Sequence, residues 1–369
     1  MIKGANYGEG GNTFYSVAYA SILTAAASSK SDVGTVLMDT PVIEVNGVES
    51  RHIYFIGSCN GLLCLGATYI PTVILWNPST NEYKKIILPE DVFISTGCYG
   101  FGFDSKVNDY KLVGITRDEV HALALKSNSW SRFNTITHGY NPSELVGLLL
   151  NGVLHWSVAA SSGEKHKFVL CFDISSEKFI NWPFPEAIIE RPKDSYVMLR
   201  VWGESLCLVC GIDDVRVDVW VMQTYGVKET WVKKFTTTQV DITSYCALSQ
   251  LHWSIKDEEI LIQERKEFIL YDAKNDRVMS LYFNGVNGRF DNLILESYVE
   301  SMVSLNSGTY TCRDLQVVIS VEVNGLVAAA VECQMLRKEH LGFCAPRIGG
   351  ADVAKGELRE GLGDAWGCS

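Results

Sequence analysis

The sequence has little of two features that would each assign it to a class of proteins. Lysine and arginine number 32 against 43 aspartates and glutamates, which gives a net charge of −11 over 369 residues. Nucleic-acid affinity comes largely from basic side chains that neutralise phosphates. No apolar run reaches the roughly 18 to 20 residues that a membrane span requires. We therefore expect neither a nucleic-acid nor a membrane partner.

One segment resembles a secretory signal in its composition. Residues 14–29 read FYSVAYASILTAAASS, and Lys3 lies upstream. The segment begins late and carries tyrosine, serine and threonine where a signal core is leucine-rich. The eleven cysteines are odd in number, and several lie inside strand-like runs, as buried thiols do. We therefore expect a reducing compartment, cytoplasmic or nuclear, rather than secretion.

Cysteine and histidine pairs suggest metal sites only weakly. Cys207 and Cys210 have zinc-knuckle spacing, but residues three apart on a strand face opposite sides, and no second pair follows. His155-Trp156 and His252-Trp253 recur in LHWSV and LHWSI, as a packing motif of related repeats would. We predict no metal and no cofactor.

The acidic groups and the nucleophile motifs favour no reaction either. Asp213 and Asp214, and then Asp257, Glu258 and Glu259, lie between strand-like runs and are interpreted as solvated turn charges. Nucleophile elbows of the Gly-x-Ser-x-Gly type and repeated Asp-box turns are missing. The prediction is a protein without catalytic residues.

What the sequence does contain is alternation. Up to about Leu305, runs of four to eight residues rich in valine, isoleucine and aromatics are separated by turn residues, and long helical patterns are absent. Asn-Gly pairs at 46–47, 60–61 and 151–152 lie between such runs, where they favour tight antiparallel turns. This pattern predicts an all-β fold.

A repeat of about 50 residues underlies the alternation. Five units read strand, polar turn and a second strand that opens on an apolar residue; those residues are Tyr83, Trp130, Phe179, Trp231 and Val278. Subtracting successive positions gives 47, 49, 52 and 47, close to the roughly 50-residue period of a kelch-type propeller blade. The first unit divides into strands at about 53–58, 62–65, 73–77 and 83–87, so each unit predicts one four-stranded blade.

The ends of the chain are expected to complete the ring. After the fifth unit, residues 292–306 offer two strands, and NTFYSVAYA and GTVLMDTP near the N-terminus offer two more. We predict a six-bladed kelch-like β-propeller over residues 12–310, in which 12–18 pair beside 302–305, because a shared last blade leaves no open edge. Residues 311–369 lose the alternation and are predicted to be an appendage, poorly ordered at its end.

Five stretches carry a family resemblance: GSCNGLLCL, LWNPSTNEYKKI, YGFGFDSKVNDYKLVGI, LLLNGVLHW and YVESMVSLN. Together they resemble the F-box-associated domain, type 1, of plant F-box/kelch-repeat proteins, to which the S-locus F-box proteins are related. The resemblance implies a propeller that recognises protein substrates for a ubiquitin ligase of Skp1, cullin and an F-box protein. Such proteins begin with helical F-box segments that dock on Skp1, whereas MIKGANYGEGGN already adjoins the propeller. We therefore expect no F-box and no Skp1 binding in this chain.

Within these stretches the marked residues are expected to be structural. Glycine would allow turns with positive φ, Trp76 would supply apolar area between blades, and Asn77 with Pro78 would set the next turn. Partner-binding residues are expected in loops on one face of the ring. A propeller hydrolase and a carbohydrate-binding propeller remain alternatives. The residues assigned a structural role are Gly57, Asn60, Gly61, Trp76, Asn77, Pro78, Gly100, Gly102, Asp109, Tyr110, Lys111, Trp130, Asn151, Gly152, Trp156 and Trp231.

Overall fold

Short alternating runs fold here into antiparallel sheets that follow one another along the chain. The computed structural model describes residues 2–5, 12–28, 32–39, 41, 44–45, 48–49, 53–67, 70–88, 97–116, 119–134, 140–142, 145–160, 167–189, 196–212, 215–239, 251–256, 259–264, 267–284, 294–295 and 298–305. The chain divides into two units, Met1–Gln316 and Val317–Ser369, and the described residues all belong to the first.

The N-terminal part contributes six short strands and one helix. The strands are β1 (Ile2–Ala5), β2 (Asn12–Ser16), β3 (Asp32–Gly34), β4 (Val36–Leu37), β5 (Glu44–Val45) and β6 (Val48–Glu49), and the helix α1 (Tyr19–Ser28) lies between β2 and β3. Among the described strands, β5 and β6 form a two-stranded sheet of their own.

Five blades follow, each an antiparallel meander. The first is β7 (Ile53–Cys59), β8 (Leu62–Ala67), β9 (Ile70–Asn77) and β10 (Glu82–Ile87); the second is β11 (Cys98–Asp104), β12 (Asp109–Ile115), β13 (Glu119–Ala124) and β14 (Ser129–Asn134). In the third, β15 (Tyr140–Pro142) and β16 (Leu148–Leu150) both pair with β17 (Val153–Ala160), followed by β18 (Lys167–Asp173) and β19 (Lys178–Pro183).

The last two blades continue the order. The fourth is β20 (Tyr196–Trp202), β21 (Ser205–Ile212), β22 (Arg216–Met222) and β23 (Trp231–Thr237); the fifth is β24 (Leu251–Lys256), β25 (Glu259–Glu264), β26 (Glu267–Asp272) and β27 (Arg277–Asn284). β3 adds to β27 in parallel, so an N-terminal strand forms the edge of blade 5. β28 (Ile294–Leu295), a four-residue helix α2 (Glu186–Ile189) and a 3₁₀ turn (Lys228–Thr230) complete the described elements.

The predicted repeat corresponds to one turn type that recurs between strands. An aspartate or asparagine ends a strand, and its side-chain oxygen accepts a hydrogen bond from the amide two residues on, as Asn77 does from Ser79 at 2.9 Å and Asp173 from Ser175 at 2.9 Å. The turn's last residue adopts positive φ, where Asn and Asp are tolerated best. Residues in that position are Asn81, Asn108, Glu177 and Asp276, and Asn128 also has positive φ in the turn after β13, which ends on Ala124.

The core consists of separate apolar clusters between neighbouring sheets. Tyr99 and Leu75 share the cluster between blades 1 and 2, and Trp156 lies in the cluster between blades 2 and 3. Further clusters join blades 3 and 4 and blades 4 and 5. The strand β2 serves two neighbours, since Phe14 packs on blade 1 and Tyr15 on blade 5. Each sheet therefore buries both faces against its neighbours, as the blades of a propeller do.

The all-β propeller prediction is confirmed, but the count of six blades is wrong. The described residues form five blades, and strands from the N-terminal part and from residues 294–295 contribute a sheet of short strands in the order β28-β1-β2-β4. Residues 302–305 form no strand, and β2 pairs with β1 and β4 rather than beside them. The C-terminal strand of this sheet is instead β28, which pairs with β1. The division at residue 310 stays a prediction, and the predicted appendage lies outside the described residues.

The signal-like segment is part of the fold. Its first residues belong to NTFYSVAYA, which is predicted as strand, but the strand ends at Ser16 and α1 begins at Tyr19, because the alanines in this stretch favour helix. Ile22 and Ala25 of α1 are buried against blade 5. In the described part of the chain, α1 and α2 are both too short to cross a bilayer.

Candidate binding surface

The ring has two faces because turns in an antiparallel meander alternate between opposite ends of the strands. One face, here called the turn face, carries the connection between the first two and the last two strands of every blade. It includes the turns at 60–61, 78–81, 105–108 and 174–177. The opposite face, called the loop face, carries the strand ends that lead from one blade to the next and the connection between the second and third strands of a blade, such as residue 215. Much of the loop face lies outside the described residues.

A charged cluster ties blade 2 to blade 3 on the turn face. Lys111 Nζ lies 2.9 Å from Asp104 Oδ2 and 2.7 Å from Glu177 Oε1, and it donates to the carbonyl oxygen of Ile174 at 3.0 Å. Ser175 donates to the other oxygen of Asp104 at 2.8 Å. The side chains of Lys111 and Asp104 are 8% and 1% exposed, so this is a buried ion pair, in which Asp104 Oδ1 accepts hydrogen bonds and Oδ2 is held by the charge of Lys111.

The pKa values of the pair follow from these contacts. Burial alone would raise the pKa of Asp104, but hydrogen bonds from Lys111, Ser175 and the amide of Lys106 hold it below its ordinary value. Burial would likewise lower the pKa of Lys111, whereas Glu177 and Asp104 raise it. Both groups are therefore charged at neutral pH, and the cluster stabilises the seam between two blades.

A neutral aromatic cluster ties blade 3 to blade 4. His155 is fully buried, with Nδ1 3.1 Å from the carbonyl oxygen of Leu148 and Nε2 3.0 Å from the hydroxyl of Tyr225. Since a carbonyl only accepts, Nδ1 carries the proton, and Nε2 is left as the nearer acceptor for the hydroxyl of Tyr225, which also lies 3.4 Å from the carbonyl oxygen of Leu150. Trp182 packs against both rings. Burial lowers the pKa of His155 to about 4, so the imidazole is neutral at physiological pH.

Blade 1 holds residues 299–305, here called the closing segment. Asn77 Nδ2 donates to the carbonyl oxygens of Ser301 at 3.0 Å and Val303 at 2.7 Å. At Gly61, which has φ of 81°, a Cβ atom would lie 2.2 Å from Ser301 Oγ. Pro78 begins the turn after Asn77. Asn77 thus does more than was predicted: it caps its own turn and also fastens a distant part of the chain.

The glycines fall into two groups, and the prediction of positive φ is wrong for one of them. Gly61 and Gly152 follow asparagines in tight turns and have positive φ, as predicted. Gly57, Gly100 and Gly102 lie within β7 and β11 and do not. A Cβ on Gly102 would lie 2.3 Å from Ile174 of blade 3, so what glycine provides there is room for the neighbouring blade.

The other residues of the quoted stretches lie in the cores and turns. Trp76 and Trp156 are fully buried, and Trp76 packs edge-on against Phe14. Asp109 accepts hydrogen bonds from the amides of Tyr110 and Lys126. The remainder occupy turns or the first positions of outer strands: Asn60 and Asn151 with positive φ, Trp130 in β14 and Trp231 in β23.

The candidate metal and acid groups do not converge where they are described. Cys207 and Cys210 are buried in different clusters, on opposite faces of β21, as predicted. In the described part of the chain, no three acidic, histidine or cysteine side chains could hold a metal ion together. The side chains of His252 and Trp253 lie outside the described residues, as do Asp213, Asp214, Asp257 and Glu258; Glu259 begins β25. Cys64, Cys171 and Cys207 are buried free thiols.

Sequence reasoning missed the partners that complete each cluster. Glu177, Tyr225 and Ser301 lie 66, 70 and 241 residues from the groups they contact, Lys111, His155 and Asn60. A polar residue in a turn gives no sign of which blade it will meet. The recurrence of a turn in every repeat was the one available signal, because it implies that equivalent turns lie on one face.

The described blades, with turns at a fixed place in the repeat and buried contacts between neighbours, define a β-propeller. The family profile described as "F-box associated beta propeller domain" matches residues 14–312. This match spans most of the chain, so the protein belongs to that family.

Curated relatives are F-box proteins of Arabidopsis thaliana. The chain is 27% identical over 260 residues to F-box protein CPR1, covering 61% of this chain and 62% of that protein. It is 26% identical over 263 residues to F-box/kelch-repeat protein At3g23880, covering 68% and 69%. The WD40 domain of SCAP from fission yeast is similar with a TM-score of 0.34 and 14% identity, over 62% of this chain and 55% of that one. The kelch-like character of the repeat stays a prediction.

Proposed function

We propose that this chain is a non-catalytic protein-binding module that selects substrates for an Skp1, cullin and F-box ubiquitin ligase. Membership of the F-box associated propeller family supports this, together with relatives named as F-box proteins. The chain spans 62% of F-box protein CPR1, so the role in a ligase is carried over from longer proteins. A cytoplasmic or nuclear location belongs to the same proposal.

The observation that carries the proposal is the difference between the two faces of the ring. In the described clusters of the turn face the polar groups contact one another, as Lys111 contacts Asp104 and Glu177. Those groups already have partners and are buried or half-buried. The connections between blades on the loop face are longer, and recognition residues concentrate in such loops on a rigid scaffold. We assign the protein target to the loop face.

Two valines provide a matched test of this assignment. Val215, between β21 and β22, lies on the loop face and is 63% exposed; Val107, between β11 and β12, lies on the turn face and is 59% exposed. A photo-reactive amino acid is placed at either position and irradiated in a plant extract. Adducts with one protein from position 215, and none from position 107, are the expected result, and equal labelling or labelling at 107 alone would contradict the loop-face assignment.

The ligase role needs its own measurement. The captured protein should lose binding to Val215→Arg but not to Val107→Arg, and its ubiquitination should depend on the ligase to which the propeller is attached. Binding without any effect on ubiquitination would retain the module and remove the ligase role. Because the family's adaptor contact belongs to the F-box helices, we expect the 369-residue chain to recover the target without Skp1. Stable co-purification with Skp1 would contradict that expectation.

A further inference from the structure

The polar contacts of the closing segment with blade 1 come from its main chain and from two serine side chains, one of which, Ser304, donates to Glu82 Oε1 at 3.2 Å. Besides the two bonds from Asn77, the amide of Ser301 donates to Ser79 Oγ at 3.2 Å, and Ser301 Oγ donates to the carbonyl oxygen of Asn60 at 2.7 Å. The amide of Leu305 donates to Glu82 Oε2 at 2.7 Å. No strand pairing is formed by 298–305, so these contacts replace a β-ladder.

From residue 302 to residue 305, successive side chains of the segment alternate between more exposed and buried positions. Val303 and Leu305 are 1% and 4% exposed and pack in the apolar cluster between blades 1 and 2. Val299 and Met302 are 61% and 64% exposed. The segment therefore lies on blade 1 as an extended ligand would, with apolar side chains inserted and main-chain polar groups bonded to two turns.

We infer that blade 1 is a peptide-binding site whose ligand is the closing segment. Its ligand class is an extended peptide with serine followed by apolar residues two and four positions later. The serine is required because its hydroxyl donates to the carbonyl oxygen of Asn60. Gly61 leaves room for it, since a Cβ there would lie 2.2 Å from Ser301 Oγ and 2.7 Å from the carbonyl oxygen of Val299. Asn77 and Glu82 hydrogen-bond to the main chain of the segment and thereby fix its position along blade 1. This inference does not depend on the proposed target of the loop face.

Tethering explains how so small a site stays filled. A segment linked to its site has an effective concentration on the order of millimolar, so a free peptide will not displace it at ordinary concentrations. A free peptide can bind only when the tethered segment is expelled. Occupancy in trans is therefore testable in the full chain with one substitution.

The variant Ser301→Asp is designed to expel the closing segment from blade 1. Its carboxylate is longer than the hydroxyl and cannot donate to the Asn60 carbonyl oxygen, so we expect a fall in melting temperature of roughly 5 °C. Adding the peptide YVESMVSLN should restore most of the loss, whereas the peptide with aspartate in place of serine should not. Wild-type chain should respond to neither peptide. Met302→Asp, at an exposed neighbour, is the matched control and should keep the wild-type temperature.

A second pair of variants covers the case in which Ser301→Asp does not fold. Gly61→Ala and Gly152→Ala both place alanine at positive φ after asparagine, but a Cβ at Gly152 meets nothing within 4 Å. Hydrogen exchange of 299–305 should rise at least tenfold in Gly61→Ala and not in Gly152→Ala. Equal exchange in the two variants, or failure of the serine peptide to stabilise a folded expelled variant, would overturn the inference.

Discussion

Lys111 and His155 occupy the same place in two successive blades and stabilise two seams by opposite chemistry. Each is the third residue of its blade's second strand, and each meets the last turn of the following blade. Lys111 brings a charge to Asp104 and Glu177, whereas His155 is neutral and shares its two ring nitrogens with a carbonyl and a hydroxyl. The repeat therefore fixes where a polar group is needed, and it leaves open which polar group fills the place.

The difference predicts how the two seams respond to change. A buried ion pair is costly to break from one side, since the remaining charge stays desolvated. A buried neutral histidine tolerates loss of one hydrogen bond but not protonation. We call the contact of Lys111 between blades 2 and 3 the charged seam, and the contact of His155 between blades 3 and 4 the neutral seam. The charged seam should be sensitive to substitution, and the neutral seam to acid.

The largest expected effect is that of Lys111→Ala. The change leaves Asp104, with a side chain that is 1% exposed, without its cation, and we expect a loss of about 3–5 kcal/mol in the free energy of unfolding. Urea unfolding followed by tryptophan fluorescence would measure it. The double variant Asp104→Asn/Lys111→Met removes both charges and should lose clearly less. A single variant within 1 kcal/mol of wild type would remove the distinction between the seams.

Acid should open the neutral seam first. Burial holds the pKa of His155 at about 4, below its ordinary value of 6.5, so the unfolded chain binds a proton in this range and the folded chain does not. Stability from this group is present above pH 6.5 and is lost as the pH falls towards 4, by about 3 kcal/mol in all. Unfolding free energies measured between pH 7 and 4.5 would show the slope.

The control for the acid effect is His155→Gln. Glutamine can still hydrogen-bond across the seam but does not titrate, so its stability curve should be flatter than that of wild type over the same window. In wild type the pKa of Asp104 is lowered by Lys111, so this carboxyl remains charged through the window and does not contribute to the slope. Identical slopes in wild type and His155→Gln would place the acid sensitivity elsewhere.

The sequence predicted the blades well and the ends of the chain poorly. The first blade was expected at 53–58, 62–65, 73–77 and 83–87, within two or three residues of β7 to β10, because alternation and turn residues act locally. The helix α1 and the addition of β3 to blade 5 were missed. Both depend on the surface that these residues cover, and a short alanine-rich stretch has no periodicity that reveals it.

Candidate site residues were predicted as positions, without their partners. Lys111 and Asn77 stood out within the quoted stretches, but their contacts with Glu177 and Ser301 span 66 and 224 residues. Such pairings follow from the ring, which places the turn of one blade beside the next. A sequence with a clear repeat can therefore identify the seam before it can identify the chemistry within it.

Removing the hydroxyl group that supports the charged seam should have a smaller effect on stability. Ser175→Ala removes the 2.8 Å hydrogen bond to Asp104, and bonds to charged groups contribute more than neutral ones, so we expect a loss of about 1.5–2 kcal/mol. Urea unfolding at neutral pH would measure it. Ser176→Ala, at the exposed neighbouring position, is the control and should lose much less. A loss no larger than that of the control would indicate that Lys111 and the amide of Lys106 hold the charge of Asp104 without Ser175.

The smallest effect is expected from Tyr225→Phe, and it tests the neutral seam directly. The hydroxyl of Tyr225 donates to Nε2 of His155 at 3.0 Å, while the ring packs on Trp182, which phenylalanine can still do. Loss of one neutral hydrogen bond should cost about 1 kcal/mol at pH 7. That bond forms only with the unprotonated ring, so the variant's pKa at His155 should rise and its deficit should shrink as the pH falls towards 4. Nuclear magnetic resonance titration of the imidazole, beside unfolding at both ends of this range, would measure the two shifts together. A deficit that is constant with pH would mean that the hydroxyl does not donate to Nε2, and the neutral seam would then depend on ring packing alone.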